Sequence, residues 1–347
     1  MNIIIIPAYK PNDRLPVLVD ELLHLKLTQI VIVDDGGKED FASLFNGLKQ
    51  KGCHVIHHDH NLGKGAAIKT GVRYAYEHIK GCTGYVTCDA DGQHLANDIL
   101  LVAKALEEHP DSLVLGTRDL HSDNVPKKSR FGNAFSSTYF KLVTGIQCSD
   151  TQTGLRGIPL SLTETVLALT ENRYDFEMTF LIQVIQEKQS FVSVPIATVY
   201  EDNNSSSHFR PIMDSLRIYK EPLKFTAASL TSAIVDLGIF TVLISFLDNP
   251  ILILVGIATI SARIISGIFN FLVNRIWSFK NRNAIKPQFL KYFILYIGIL
   301  LSSITLVTVL SFLPIHLTLV KVIVDGLLFI CSFVVQKKWV FSHKSFQ

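Results

Sequence analysis

The chain has 347 residues, 48% of them hydrophobic, with a formal net charge of +3 and a mean hydropathy of +0.31. That length allows two domains, and the small charge with no RNA- or DNA-binding pattern excludes nucleic acid as a partner. The five cysteines (Cys53, Cys82, Cys88, Cys148 and Cys331) show no C-x-x-C and no metal-ligand spacing, so they read as reduced thiols in a cytosolic setting. The apolar excess is uneven: residues 1–224 read as ordinary globular sequence, whereas 225–341 hold four long apolar runs.

In chain order, Met1 to Tyr9 carries four consecutive isoleucines with no basic segment before them. It reads as a first buried strand rather than a signal peptide. Ile3–Ile6, Ile30–Val33, Val55–His57, Tyr85–Cys88 and Leu113–Gly116 have strand length and β-branched enrichment. Helical-period stretches lie between them at about 13–25, 39–51, 65–79 and 97–108. The alternation predicts an α/β fold with a mostly parallel sheet, which binds ligands at the carboxyl ends of its strands.

The polar motifs fall at those ends. Pro7-Ala8-Tyr9 follows the first strand, Asp34-Asp35-Gly36-Gly37 the second, Asp89-Ala90-Asp91 the fourth and Gly116-Thr117-Arg118 the fifth. Asp89 and Asp91 form a claw of hard oxygen atoms for a divalent cation, which would neutralise a diphosphate. A lone D-x-D is equally a solvated loop, but four polar clusters at one sheet edge are not explained that way. Asn61-Leu62-Gly63-Lys64-Gly65 opens a helix, so its backbone N–H groups could meet an anion. It is neither a Walker loop nor a dinucleotide fingerprint, because Ile68 stands where each needs glycine; a plain turn and helix start is the alternative.

These motifs, with Asp89-Ala90-Asp91-Gly92-Gln93-His94, come in the order and spacing of family 2 glycosyltransferases with a GT-A fold. Over residues 1–210 the chain resembles the polyprenyl-phosphate branch typified by dolichol-phosphate mannose synthase. Asp150-Thr151-Gln152-Thr153-Gly154-Leu155-Arg156 and Phe176-Glu177 also resemble that branch. The resemblance implies a Rossmann-like GT-A domain at 1–223, its last part, from about 200, a juxtamembrane linker. It implies catalytic roles for Asp89, Asp91, Asp150 and Glu177, the last two orienting groups. It places Pro7, Tyr9, Asp34, Asp35, Lys64 and Asp89 at the nucleotide sugar, Asp34 and Asp35 on base and ribose. Asp89, Asp91 and Gln93 would hold Mg²⁺ or Mn²⁺. Arg118, Arg130 and Asn133 would meet an acceptor phosphate, to which arginine forks suit; solvated surface arginines are the alternative. Ser207, His208 and Arg210 stand where the branch often carries a basic Gly-Ser-Lys stretch, and would touch the diphosphate.

The second half has spanning length at Phe225–Leu247, Ile251–Val273, Tyr292–Leu313 and Ile315–Val335, predicting an all-α domain of four transmembrane helices over 224–347. Asp248-Asn249-Pro250 and Pro314 read as hairpin turns without Lys or Arg. The connection between spans two and three carries Arg275, Lys280, Arg282, Lys286 and Lys291, and the C-terminus Lys337, Lys338 and Lys344. The positive-inside rule puts that connection, both termini and the catalytic domain in the cytoplasm. Phe271-Leu272-Val273-Asn274-Arg275-Ile276-Trp277-Ser278-Phe279 repeats as Phe333-Val334-Val335-Gln336-Lys337-Lys338-Trp339-Val340-Phe341 at an offset of 62. At that offset Arg263 corresponds to Asp325, and Asp236 is a third charge at membrane depth. Such charges pair or line a path; from the matching repeat positions Arg263 is expected to face Asp325 inside the bundle, with an ion pair to Asp236 as the alternative. Through the two F-x-x-[NQ]-[RK]-x-W-x-F ends this half resembles the GtrA-like membrane family, which is associated with export of lipid-linked sugars.

The expected function is a plasma-membrane glycosyltransferase. It moves a hexose from a nucleotide sugar (UDP-hexose favoured, GDP-mannose the other choice) to polyprenyl phosphate, undecaprenyl by analogy. Inversion at the anomeric carbon would give a lipid-linked sugar for cell-surface glycan. The alternatives are a processive polysaccharide synthase, which lacks its Q-x-x-R-W motif here, and a lipid-linked sugar translocator. Expected partners are the nucleotide sugar, the lipid and the membrane, with a homo-oligomer left open.

Overall fold

The computed structural model describes residues 1–37, 39–120, 125, 127–197, 219–246, 252–281, 283–310 and 317–341. The chain divides into two compact units, Met1–Ile218 and Tyr219–Gln347. Ser207, His208 and Arg210 lie outside the described residues, as do both predicted hairpin turns, Arg282 and Lys344.

The first unit is a seven-stranded sheet with helices on its faces. Its strands are β1 (Asn2–Ala8), β2 (Ile30–Asp34), β3 (His54–His57), β4 (Gly84–Thr87), β5 (Leu113–Arg118), β6 (Arg156–Pro159) and β7 (Phe191–Ile196). Their order is β3-β2-β1-β4-β6-β5-β7. All pairings are parallel except those of β6, which runs antiparallel to β4 and β5. The helices are α1 (Arg14–His24), α2 (Ala42–Gln50), α3 (Lys64–His78), α4 (Ala96–Glu108), α5 (Lys127–Thr144), α6 (Thr163–Ala168) and α7 (Asp175–Gln186).

The five predicted strands are β1 to β5. A parallel sheet covered on both faces demands continuous apolar runs, and Ile3 to Ile6, Ile30 to Val33 and Leu113 to Leu115 are fully buried. One face packs Ile4, Ile6 and Ile32 against Leu15, Leu18, Val19 and Leu22 of α1 and Ile99, Val102 and Leu106 of α4. β6 and β7 are additions to the sequence reading. β6 is four residues, Arg156-Gly157-Ile158-Pro159, and carries a charge and a proline. β7 contains Pro195 and lies at the sheet edge, where a missing N–H is tolerated. Parallel pairing brings the carboxyl ends of β1, β2, β4 and β5 to one edge, and with them Ala8, Asp34, the 88–94 turn and Arg118.

The second unit is four long helices, α8 (Lys220–Ser245), α9 (Leu252–Val273), α10 (Ile285–Leu310) and α11 (Leu317–Val335). Among the described residues three stretches, Lys220–Ser245, Ile257–Ser278 and Ile285–Leu310, are long and apolar enough to cross a membrane. The fourth helix has 19 residues, about 28 Å at 1.5 Å per residue, close to a hydrocarbon core of about 30 Å. Ile234, Leu237, Leu301 and Leu327 point outward, as lipid-facing side chains do. Two boundaries shift from the sequence expectation. α8 starts at Lys220 and α10 at Ile285, each with a proline at its third position, where the first turn has N–H groups to spare. Lys286 and Lys291 therefore stand on α10 rather than in a connection.

The repeat is a structural two-fold. Single π-helical turns, Asn274–Ser278 and Gln336–Val340, end α9 and α11. Leu223-Lys224-Phe225 of α8 recurs as Leu290-Lys291-Tyr292 of α10 at an offset of 67. Lys224 donates to the Trp277 carbonyl at 3.1 Å and Lys291 to that of Trp339 at 3.2 Å. Each ammonium also stands over the matching indole, at 5.3 and 5.7 Å. Contacts between halves come in exchanged pairs. Arg275 donates to Gln288 at 2.9 Å, and its counterpart Lys337 pairs with Glu221. Phe225 packs on Phe333 and Tyr292 on Phe271, with ring centroids 5.2 and 5.4 Å apart. Asn274 donates to its own counterpart, Gln336, at 3.3 Å, which places that buried pair on the axis.

The expected pairing of Arg263 with Asp325 is corrected: its partner is Asp236, with Nε 3.7 Å from Oδ2, because α8 and α9 pack side by side and bring the two together. Asp236 also accepts from Ser266 at 2.9 Å, and Asp325 accepts from Ser303 at 2.9 Å. Asp236→Ala is expected to lower the thermal midpoint of the full chain in nanodiscs by several degrees, because Arg263 then lacks its acid. The Asp236→Arg/Arg263→Asp double variant should recover much of the loss. Midpoints that do not move in either single variant would show that the pair does not hold the unit.

Candidate active site

The loop after β2 is built by its two carboxylates. Asp34 accepts from the Gly37 N–H at 2.7 Å and from His57 Nδ1 at 3.0 Å. Asp35 accepts from His58 Nδ1, Leu62 N–H and Gly63 N–H, each at 2.8 Å. Both are buried, and three of about four acceptor sites on Asp35 are filled by the chain. What the geometry gives them is the shaping of the two loops; any base or ribose contact falls to what remains. Gly63, at φ +107°, leads into α3, and a Cβ there would lie 2.3 Å from the Asn172 carbonyl. Only glycine brings the helix start against that segment. Pro7 is buried within β1 opposite Val33, and the half-buried Tyr9 has Lys10 Nζ 5.6 Å from its ring centre.

The first residue of α3, Lys64, reaches the D-x-D turn. Its Nζ lies 2.6 Å from Asp89 Oδ1 and 2.7 Å from Glu177 Oε1. The buried Glu177 Oε1 has this ion pair with Lys64 as its contact among the described residues. Burial works against the Lys64 charge, yet Asp89 and Glu177 outweigh it and raise the ammonium well above its ordinary pKa. Burial also opposes ionisation of Asp89; the Lys64 charge beside it reverses this and holds it below the usual carboxylate range. Asp91 goes the other way. Burial, then the Asp89 charge, push it up to about 6, against the Gln93 N–H that it accepts at 3.0 Å. His94 is pressed down to about 4 by burial. The neutral ring accepts the Asp89 N–H at Nδ1, at 3.1 Å, so its proton is on Nε2.

Arg118 and Asp150 form a second cluster. Asp150 is fully buried and accepts a fork from Arg118, Nε at 2.7 Å and Nη2 at 2.9 Å. It also accepts the N–H groups of Arg118 and Gln152 at 3.3 and 3.2 Å. Asp150 thus orients Arg118 rather than facing a substrate itself. Asn133 is buried on α5, spends one N–H on the Ser149 carbonyl at 2.5 Å, and leaves its Oδ1 without a partner. Arg130, one turn earlier on α5, is exposed.

Arg156 carries a role that its place in the Asp150–Arg156 motif did not reveal. It is 2% exposed. Nε donates to the Thr153 carbonyl at 3.0 Å, Nη2 to Thr151 at 3.2 Å and Nη1 to Glu177 at 2.7 Å. One guanidinium therefore ties the 151–154 loop to the start of α7 and so sets Glu177 against Lys64. A charge inside a short apolar stretch, Leu155-Arg156-Gly157-Ile158, was its only sequence signal.

The model of glycosyl transferase family 2 matches residues 3–167. Over 217 residues the chain is 30% identical to UDP-N-acetylglucosamine–dolichyl-phosphate N-acetylglucosaminyltransferase of Methanococcus voltae, covering 57% of this chain and 86% of that protein. The chain belongs to glycosyl transferase family 2. The second half of this glycosyltransferase, residues 224–341, matches the GtrA/DPMS transmembrane domain, which makes it a membrane protein. It is also 26% identical over 204 residues to the polyprenol monophosphomannose synthase of Mycolicibacterium smegmatis, covering 56% of this chain and 76% of that one. Among solved structures, glucosyl-3-phosphoglycerate synthase from Mycobacterium tuberculosis, in complex with Mn²⁺, UDP-glucose and phosphoglyceric acid, aligns at 14% identity. Its TM-score is 0.45, with 64% of this chain and 76% of that chain covered. The mostly parallel sheet of this glycosyltransferase is GT-A-like, and its C-terminal half is helical and apolar.

Proposed function

We propose that this glycosyltransferase moves a hexose from a nucleotide sugar, UDP-hexose by preference, to a polyprenyl phosphate with inversion. The observation that carries the reading is the Lys64–Asp89–Asp91 cluster at the carboxyl edge of the sheet, in a chain that also has membrane-spanning helices. Relatives named for dolichyl or polyprenol phosphate support the acceptor class.

Asp89, Asp91 and Gln93 offer hard oxygen atoms that suit Mg²⁺ or Mn²⁺. Two carboxylates and one amide would leave the remaining positions to water and phosphate oxygens, as Mg²⁺ sites do. Such an ion would offset charge on the departing diphosphate. Lys64 lies on the same carboxylate and can meet a phosphate oxygen. Arg118, aimed by Asp150, and the exposed Arg130 would receive the acceptor phosphate. A phosphomonoester with a second pKa of about 6 is already a nucleophile near neutrality. No side chain has to remove its proton, and Glu177 and Asp150 serve as orienting groups. Attack from the face opposite the diphosphate inverts the anomeric carbon. Lysines near the helix ends, including Lys224, Lys286, Lys291 and Lys337, support a cytoplasmic catalytic unit at the plasma membrane.

Incubating membranes with a panel of radiolabelled nucleotide sugars and extracting the lipid tests the reading. Label in an acid-labile polyprenyl-phosphate sugar is the expected result; label in polymer alone would favour a polysaccharide synthase. The pH profile is a second expectation. With its pKa near 6, Asp91 is protonated below that value and ionised above it. Metal-dependent transfer should therefore fall as the pH drops through about 6 and hold above it. The apparent affinity for the metal should fall over the same range, and an affinity that stays constant down to about pH 5 would remove Asp91 from the metal site.

A further inference from the structure

Lys64 is placed on the metal carboxylate rather than beside it. Its ammonium caps Asp89 Oδ1 at 2.6 Å. Gly154 lies behind the pair: a Cβ there would come within 2.5 Å of Asp89 Oδ2 and 2.9 Å of Lys64 Nζ, so only glycine leaves room for the ammonium and the carboxylate together. One oxygen of Asp89 is thus taken by the chain's own ammonium. A divalent ion approaching Asp91 meets a fixed positive charge on the neighbouring ligand, and like charges at a few ångströms in a partly buried site repel strongly.

The second partner of Lys64 explains how it can leave. Glu177 already shares the ammonium, with Oε1 2.7 Å from Nζ, and Lys64 is the first residue of α3, on a four-carbon stem beside the glycine turn. A diphosphate gives the ammonium a new anionic partner. Its departure would leave Asp89 and Glu177 facing each other as like charges, which favours arrival of a divalent ion.

Resting on the metal site proposed above, we infer that Lys64 is an internal counter-ion that keeps the cation site closed until a nucleoside diphosphate draws it away. Metal and nucleotide then bind as a coupled pair, and the metal alone binds weakly. The coupling is reciprocal, so each ligand raises the affinity of the other by the same factor.

The test is Mn²⁺ binding to the full chain in nanodiscs, read from the electron-paramagnetic-resonance signal of free Mn²⁺, without nucleotide and with UDP or GDP. The wild type should bind Mn²⁺ weakly alone and about a hundredfold more tightly with one of the nucleotides. Lys64→Met should raise the nucleotide-free affinity by about tenfold or more and reduce the nucleotide enhancement by the same factor. Lys64→Gln, which keeps hydrogen-bonding capacity without charge, should behave alike and replaces the Met variant if thermal unfolding shows that one misfolded. Nucleotide-free Mn²⁺ affinity that stays the same or weakens in a folded Lys64 variant overturns the gate. Asp91→Asn separates the two ideas: if it abolishes Mn²⁺ binding while Lys64 variants change nothing, the metal site stands and the gate falls. If Asp91→Asn also changes nothing, both fall.

Discussion

Asp91→Asn is expected to abolish sugar transfer while leaving the chain folded and in the membrane. The substitution keeps the shape and the Gln93 N–H contact at 3.0 Å but removes the carboxylate charge. Charge offset by a bound ion is worth several kcal/mol at the transition state, so the loss should be about a thousandfold or more. EDTA should reproduce it, with rescue by Mg²⁺ or Mn²⁺. The thermal midpoint should hold or rise slightly, since burial and the Asp89 charge already disfavour the ionised Asp91. Full activity in EDTA would exclude a metal-dependent mechanism, and a large fall in midpoint would make Asp91 a structural residue.

Arg156→Met is expected to be the most destabilising single change in the catalytic unit. Methionine fills part of the volume but leaves the Thr151, Thr153 and Glu177 carbonyls without the donors they have now. Each buried acceptor left unmade costs about 1–3 kcal/mol, and partial relaxation brings the total to about 3–5 kcal/mol. Activity should fall with it, because the 151–154 loop and Glu177 lose their common tie. Arg156→Lys keeps the charge but cannot span three carbonyls, and should be intermediate. Denaturant unfolding of the full chain in detergent measures both, and a midpoint within error of wild type for Arg156→Met would refute the role.

The sheet was legible as far as burial wrote it into the sequence. β1 to β5 are buried runs that periodicity can read; β6 and β7 owe their pairing to neighbours and contain Pro159 and Pro195. α5 starts in Lys-Lys-Ser-Arg and holds Gly132, and the apolar positions of α7 run nearly together, so neither shows a clear helical stripe. The motifs placed the chemistry at one sheet edge, but not which groups engage one another. Lys64 meets Asp89 and Glu177 across long separations, and Arg118 is taken up by Asp150, because the fold brings their elements together. Asp34 and Asp35 stand at a strand end as a ligand pair would, and the structure engages them with loop N–H groups and histidines. In the membrane half, the repeat register pointed Arg263 at Asp325, but register relates equivalent places without saying which side chains touch, and the packing of α8 on α9 gives it Asp236 instead.

The two-fold of the helical unit also bears on how such a bundle diversifies. Two separate copies of one hairpin must carry the same residue at every equivalent place. Joined in tandem, the halves hold each other at high effective concentration, and equivalent places are released from being identical. The pair Asp236–Arg263 in one half stands where Ser303–Asp325 stands in the other, at offsets of 67 and 62 residues. The shared frame of lysines, indoles and stacked phenyl rings keeps the halves docked. At mid-span one side carries Asp236 with Arg263 and the other Ser303 with Asp325, so equivalent places hold different side chains. An assembly of identical hairpins could not carry such a difference between its two flanks.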